Sequence, residues 1–284
     1  ALAHRGPDGQ GQHIRDNLGM VQVRLAIIDL AGGDQPFYES EDKPGIALIA
    51  NGEIYNYLEL RESMKDSNFV TNSDCELPLH LYRQHGLDFV KHLRGMYTIA
   101  IDDSEQNQLV LARDPFGIKP LYYVESDRGF VFASEAQALI GVGFVKAEIV
   151  PEKRDELLQL QFTTGRQTPF VGIKRVLPGE VLVIKNGRIV QRYQQRALPT
   201  GDVRGLTEED ALVLLDQYLE ESIDLHQRAD VDYGMFLSGG IDSSIILTMM
   251  ARLNVRPVQA FTAGFDQQSV HDERDQARRI AASV

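Results

Sequence analysis

The sequence predicts an α/β protein in two parts, a mixed region dominated by antiparallel sheet followed by the start of a parallel sheet. Three observations carry this reading. Up to about residue 195, short runs rich in Val, Ile and Tyr are bounded by turn residues, as half-buried strands are. Asn186-Gly187 stands between two apolar runs, a strong hairpin signal because both positions of the favoured turn need positive φ. Beyond residue 206 the periodicity turns helical, and strand, helix and strand follow at the spacing of a parallel crossover unit.

In order, strands are expected at 45–52, 95–103, 108–114, 121–126 and 129–135, with the hairpin at 181–193. Helices are expected near 56–65 and 74–85, the second stopped by Gly86. Pro, Gly and Asp break any periodicity over 197–206, which reads as a linker between domains at 1–196 and 207–284. Thr207 followed by Asp210 resembles a capping box, and Leu212, Leu215, Leu219 and Ile223 form one apolar stripe behind it. A short strand at 231–237, a helix from about 241 to 252 and a strand at 257–265 complete the second part.

Composition excludes more than it proposes. With 43% hydrophobic and 25% charged residues, the 284-residue chain can bury a sizeable core. No apolar run approaches the roughly 20 residues that span a bilayer, so no membrane partner is expected and the cytoplasm is the default location. The single cysteine, Cys75, cannot form an internal disulfide, which fits a reducing compartment. Net charge is −12, with 22 basic and 26 acidic residues in 1–196 against 7 and 15 in 197–284. Neither half carries the basic face that phosphate backbones require, so nucleic acid is not an expected partner.

The chemistry concentrates first in 236-FLSGGIDSS-244. Ser238-Gly239-Gly240 lets the backbone turn sharply between strand and helix, and Asp242, Ser243 and Ser244 fall in the first helical turn, where unpaired N–H groups favour an anion. Taken alone the stretch is equally an ordinary turn whose Ser and Asp cap a helix. It is not a Walker loop, because the Lys before Ser/Thr is missing. The pattern SGGxDS is similar to the pyrophosphate loop of enzymes that split ATP between the α and β phosphates to form an adenylate.

Six earlier segments point the same way: 4-HRGPDG-9, 24-RLAIIDL-30, 51-NGEIYNY-57, 73-SDCE-76, 94-RGMYTIAI-101 and 111-LARDPFGIKPLYY-123. In order and spacing they resemble the glutamine-hydrolysing domain of the glutamine-dependent asparagine synthetases, and with SGGIDSS the resemblance covers nearly the whole chain. It implies an Ntn-hydrolase sandwich of antiparallel sheets, followed by the first crossover unit of a doubly wound parallel-sheet ATP-binding domain. It also implies a reaction: ammonia released from glutamine attacks an aspartyl adenylate, giving asparagine, AMP and pyrophosphate. Glutamine, aspartate and ATP with Mg²⁺ are the implied small molecules, and a homodimer is left open. The family's nucleophile is an N-terminal cysteine some tens of residues before the HRGPDG motif, and its ATP domain continues well beyond a region like 207–284. The resemblance therefore leads one to expect an internal fragment, inactive alone as a glutaminase.

Residue by residue, the resemblance implies an oxyanion hole formed by the Asn51 side chain and the Gly52 N–H, where fixed donors stabilise a tetrahedral intermediate. Arg24 would pair with the α-carboxylate of glutamine, as a guanidinium fork suits, although alone it reads as a surface strand arginine. Ile27 would add backbone to the pocket. Glu53 and Asp74 would hold the substrate ammonium; for Asp74 a helix N-cap is the competing role. In the second part Leu237 and Ala263 would flank adenine or ribose, at strand ends where such sheets bind ligands, or would simply pack in a core. Ser238, Gly239, Gly240, Asp242, Ser243 and Ser244 would surround the phosphates, and the metal ligands are unknown. The stretch 271-HDERDQA-277 resembles the family's acidic run and reads as a solvated helix start. Cys75 reads as a small buried hydrophobe and not as a nucleophile. Two alternatives stay open: a relative acting on another carboxylate acceptor, and an inactive module that binds glutamine or nucleotide.

Overall fold

A computed structural model describes residues 1–39, 45–198, 200–201, 205–264 and 272–284. The described chain forms two compact units, Ala1–Thr200 and Gly201–Val284.

The first unit runs β1 (Gly9–Arg15), β2 (Leu18–Arg24), β3 (Phe37–Tyr38), β4 (Ile46–Ile54), α1 (Tyr57–Ser63), α2 (Leu77–His85), β5 (Gly95–Asp103), β6 (Gln108–Arg113), β7 (Tyr122–Ser126), β8 (Gly129–Ala133), α3 (Ala136–Gly141), α4 (Pro151–Leu160), β9 (Lys174–Arg175), β10 (Glu180–Lys185) and β11 (Arg188–Gln194). A six-stranded antiparallel sheet in the order β11-β10-β6-β5-β4-β3 is its centre. Alternation along β4 sorts its two faces: Ile46, Leu48 and Ala50 pack with Leu77, Leu81 and Phe89 of the helical layer. Ala47 and Ile49 pack instead with Met20, Leu121, Tyr123 and Phe132. That second layer consists of the β1–β2 hairpin and a β8-β7-β9 sheet, and α3 covers the far side through Leu139 and Ile140 against Val124 and Val131. Helix, sheet, sheet and helix stack in the antiparallel α+β sandwich that the family resemblance implied.

Local chemistry explains the element ends. Asn186 and Gly187 have φ of 50° and 71°, the two left-handed positions of the β10–β11 turn. Gly86, at φ 56°, ends α2. Burial holds the β1–β2 hairpin to the main sheet through an ionic pin: Asp102 on β5 accepts from His13 Nε2 at 2.8 Å and from Arg15 Nη2 at 2.6 Å. This hairpin and α3 and α4 lie outside the elements expected from periodicity.

The second unit contains α5 (Glu208–His226), β12 (Gly234–Phe236), α6 (Ile241–Leu253), β13 (Gln259–Phe261) and α7 (Arg274–Ala281). β12 and β13 pair in parallel across α6, the expected crossover. Thr207 caps α5 by accepting from the Asp210 N–H at 3.1 Å. The apolar stripe of α5 is only half used: Ile223 is buried, whereas Leu212 and Leu215 are exposed. Phe265 and His271, at the ends of the expected strand and acidic run, lie outside the described residues.

Candidate active site and phosphate loop

A cavity of about 440 Å³ opens in the first unit between the two sheet layers. That volume suits a small polar metabolite. Arg24, Ile27, Asn51, Gly52, Glu53 and Asp74, the six residues assigned above to glutamine, all line it.

Asn51 owes its place to register. It shares parity with Ala47 and Ile49, so its side chain faces the gap between the sheets, opposite Thr98 of β5, which also lines the cavity. Its amide nitrogen Nδ2 is buried and has no hydrogen-bond partner among the described residues. An unpaired buried donor costs about 1–3 kcal/mol, so its persistence at a cavity wall calls for a functional account. Gly52 fits beside it because β5 crosses closely: a Cβ there would lie 2.6 Å from Tyr97 Cα and closer still to the Met96 carbonyl.

Asp74 is 4% exposed and accepts from the Ile54 N–H at 2.7 Å. Burial raises its pKa, against the N–H groups of Ile54 and Cys75 that favour the carboxylate. The N-cap role that competed for Asp74 falls to its neighbour: Ser73 caps the short 3-10 turn Asp74–Glu76 by accepting from the Cys75 N–H. A serine preceding an apolar helix was the available signal. Cys75 is buried, and burial together with the Asp74 and Glu53 carboxylates pushes its thiol well above the ordinary value. It is therefore a protonated core thiol and a poor nucleophile.

Arg24 is not a free fork. Nη2 donates to the carbonyls of Ile28 at 3.1 Å and Asp29 at 2.6 Å, while Nη1 donates to Leu30 O and pairs with the exposed Asp34 at 3.1 Å. Of these partners only Asp34 is an anion that a second carboxylate could replace. Sequence reasoning missed Gln35, which lines the cavity and extends the β3–β4 ladder by accepting from the Ala50 N–H at 2.7 Å. Nothing in 33-GDQP-36 signals that role.

In the second unit, Gly239 adopts φ 82° and Gly240 is extended, so the chain turns sharply into α6. No side chain caps α6 at Gly240, and Asp242, Ser243 and Ser244 stand in its first turn. The Ser238 hydroxyl accepts from the Gly240 N–H and meets Ser243 Oγ at 3.0 Å, holding the loop, while Ser244 Oγ donates to the Gly240 carbonyl. Leu237 is 2% exposed and packs with Leu247 and Ala277, while its N–H donates to the Phe261 carbonyl and its carbonyl accepts from the Thr262 hydroxyl, the core-packing alternative for this residue. Ala263 is exposed beyond the end of β13. Among the described residues no group of three or more His, Cys, Asp or Glu could hold a metal ion. No helix of the described chain is long and apolar enough to cross a membrane.

Comparison with known proteins agrees with both halves. Residues 1–194 match the glutamine amidotransferase domain family, and residues 214–284 match asparagine synthase. Asparagine synthetase [glutamine-hydrolyzing] 1 of Bacillus subtilis is 38% identical over 100% of this chain and 44% of its own length. Amidase chry2 of Gibberella zeae is 35% identical over 99% of this chain and 44% of its own. The chain thus spans less than half the length of these curated relatives. A solved glutamine phosphoribosylpyrophosphate amidotransferase from B. subtilis aligns with 85% of this chain and 51% of its own at a TM-score of 0.45 and 21% identity, a remote likeness. With the amidotransferase match covering more than half of its residues, the chain belongs to the glutamine amidotransferase domain family, and a match to asparagine synthase follows it.

Proposed function

We propose that the first unit binds glutamine and, in the whole protein, releases its amide nitrogen as ammonia. The observation that carries this reading is the buried, unpartnered Asn51 Nδ2 beside the Gly52 backbone at the cavity wall. Both donors are fixed before any substrate arrives, as stabilisation of an oxyanion requires. Glutamine would lie with its side-chain carbonyl toward them, its ammonium toward Asp74 and Glu53, and its α-carboxylate taking the place of Asp34 on Arg24, with Ile27 contributing backbone. An ammonium ion beside Asp74 would offset the burial that disfavours the carboxylate there. The nucleophile that the family resemblance implies is a cysteine thiolate, a role for which the buried, protonated Cys75 is unsuited. The thiolate attacks the amide carbon, the amide nitrogen takes up the proton the thiol gave up and leaves as ammonia with a thioester formed, and water then cleaves the thioester to glutamate and the free thiol.

The second unit would begin the ATP-binding domain. Its uncapped α6 N-terminus, with Ser238, Gly239, Gly240, Asp242, Ser243 and Ser244 around it, suits pyrophosphate, and Leu237 and Ala263 would border the nucleoside. ATP enters as its Mg²⁺ complex and activates an acceptor carboxylate as the adenylate. Aspartate is the acceptor we favour, with asparagine, AMP and pyrophosphate as products, in a cytoplasmic enzyme that needs neither nucleic acid nor membrane and is open to homodimerisation. Relatives named amidases at 34–35% identity support a second reading, in which the same glutamine site feeds another acceptor.

Asn51→Ala in the full-length protein tests the glutamine site. Glutamate release should fall by about 10²-fold, the usual effect of removing one oxyanion donor, while ammonia-driven synthesis stays near the unmodified rate. Equal loss of both activities would overturn the assignment.

A further inference from the structure

Asp29 belongs to the 24-RLAIIDL-30 motif but does not line the cavity, and the function proposed above gives it no task. Its surroundings do. Asp29 is a non-glycine residue at φ 53°, the left-handed region that Asp and Asn enter more readily than other side chains. Its carboxylate divides between two segments. Oδ1 accepts from the Gly32 N–H at 3.0 Å, closing the loop that follows β2. Oδ2 accepts from the Asn72 N–H at 2.8 Å, 43 residues further along the chain and two residues before Asp74. Its carbonyl meanwhile accepts from Arg24 Nη2 at 2.6 Å and from the Gly33 N–H at 3.0 Å.

The glycines beside it are part of the same arrangement. A Cβ on Gly32 would lie 2.8 Å from Asp29 Oδ2, and one on Gly33 would collide with Arg24 Nη2. One residue therefore touches the segment that carries Arg24 and Ile27 and the segment that carries Asp74. Those segments form opposite ends of the proposed amino-acid grip, one for the carboxylate and one for the ammonium. The Asp29 to Asn72 bond is charge-assisted, so it is among the stronger single hydrogen bonds available to fix their separation.

We propose that Asp29 is a positioning residue that sets the spacing between Arg24 and Asp74, and so tunes how tightly the free amino-acid end of glutamine is held. The proposal rests on the glutamine reading above. It assigns Asp29 no contact with substrate, and it separates two quantities: the grip on the amino-acid end depends on this bridge, whereas the oxyanion donors on β4 are held by their own ladder.

The test uses the full-length protein, unmodified and as Asp29→Ala and Asp29→Asn. Glutamate release is followed against glutamine concentration, ammonia-driven synthesis is measured alongside, and thermal unfolding is recorded for each. Ala removes both acceptors. Asn keeps one oxygen and tolerates positive φ, so it serves as the gentle variant should Ala not fold. Expected are a KM for glutamine raised about tenfold in Ala and by a smaller factor in Asn, kcat changed less than about threefold, and unaltered ammonia-driven synthesis, since misplacement of a binding group by a fraction of an ångström acts on such a scale. An unchanged KM in Asp29→Asn with its unfolding midpoint lowered would show a purely structural residue and overturn the proposal. So would a fall in kcat at constant KM, or a parallel loss of ammonia-driven synthesis. If the unmodified protein, with its nucleophile intact, releases no glutamate, the glutamine reading itself fails and the positioning role falls with it; glutaminase activity with an unmoved KM refutes the positioning role alone.

Discussion

The two units of this chain hold their candidate sites in opposite ways. In the first, Asn51 and Gly52 lie inside a nine-residue strand paired to β5 along its whole length, and the residues behind them are buried. In the second, the loop at 238–240 follows a three-residue strand whose sheet has one partner, and Phe236 and Ile241 on either side are 84% and 79% exposed. A two-stranded sheet is marginal by itself, whereas a sheet covered on both faces is rigid enough to aim a side chain. Within residues 1–284, which span less than half the length of the curated relatives, one site is fixed by packing and one mainly by local hydrogen bonds, so the two should respond differently to the same kind of damage.

The strongest test is a matched pair of glycine substitutions. Gly52→Val drives a side chain into the β5 backbone, which cannot rotate away, and should cost about 4 kcal/mol or more in chemical denaturation of the first unit. Gly240→Val meets only the movable Ser238 hydroxyl, at 3.3 Å, and should change stability little while lowering pyrophosphate release from ATP in the full-length protein. Similar losses of stability in both variants would erase the contrast.

A leucine pair measures it more finely. Leu48→Ala, at a position with 0% exposure in the core beneath Asn51, should destabilise by about 2–5 kcal/mol. Leu215→Ala, 53% exposed on α5, should stay within about 0.5 kcal/mol. A costly Leu215→Ala would show that the exposed stripe of α5 is covered in solution, and the second unit would then be better packed than it stands here.

The smallest effect concerns acid. Burial alone would raise Glu76, but hydrogen bonds from His80, Thr71 and the N–H groups of Val70 and Thr71 bring it down to about 2. A carboxylate depressed on folding contributes stability that is complete above its unfolded value of about 4.3 and is lost as pH falls toward about 2. Unfolding midpoints followed from neutral pH downward should therefore fall more steeply in the unmodified protein than in Glu76→Gln over that window. Parallel curves would show that Glu76 is not ionised against these partners.

Much of this was legible in the residues. The central strands announced themselves by runs such as 45-GIALIANG-52, the hairpin by Asn186-Gly187, the end of α2 by Gly86 and the start of α5 by Thr207, each a local cause with a local effect. The β1–β2 hairpin was not legible, because 9-GQGQHIR-15 is Gly and polar residues apart from the exposed Ile14 and is secured by His13 and Arg15 on Asp102, 87 or more residues away. Helix α4 hid for a different reason: Leu158 and Leu160 are exposed, so it presents no apolar face to read. For the site, motif resemblance picked residues that line one cavity, but not how Arg24 is engaged. Its guanidinium is committed to carbonyls of its own loop, a bond pattern set by the fold of 24–34 and carried by no periodicity.

The placement of Asn51 within an alternating strand also decides which changes of length the protein can survive. Inserting or deleting one residue between 46 and 51 would turn the amide toward the helical layer and bring a core aliphatic to the cavity in its place, since neighbouring strand positions point to opposite faces. The loop after β2, tied at its base by Asp29 and Arg24, can grow at its solvent-facing residues without moving either anchor. Variation in length should therefore gather at the rim, where it can reshape what enters, and leave the donor strand a constant nine residues.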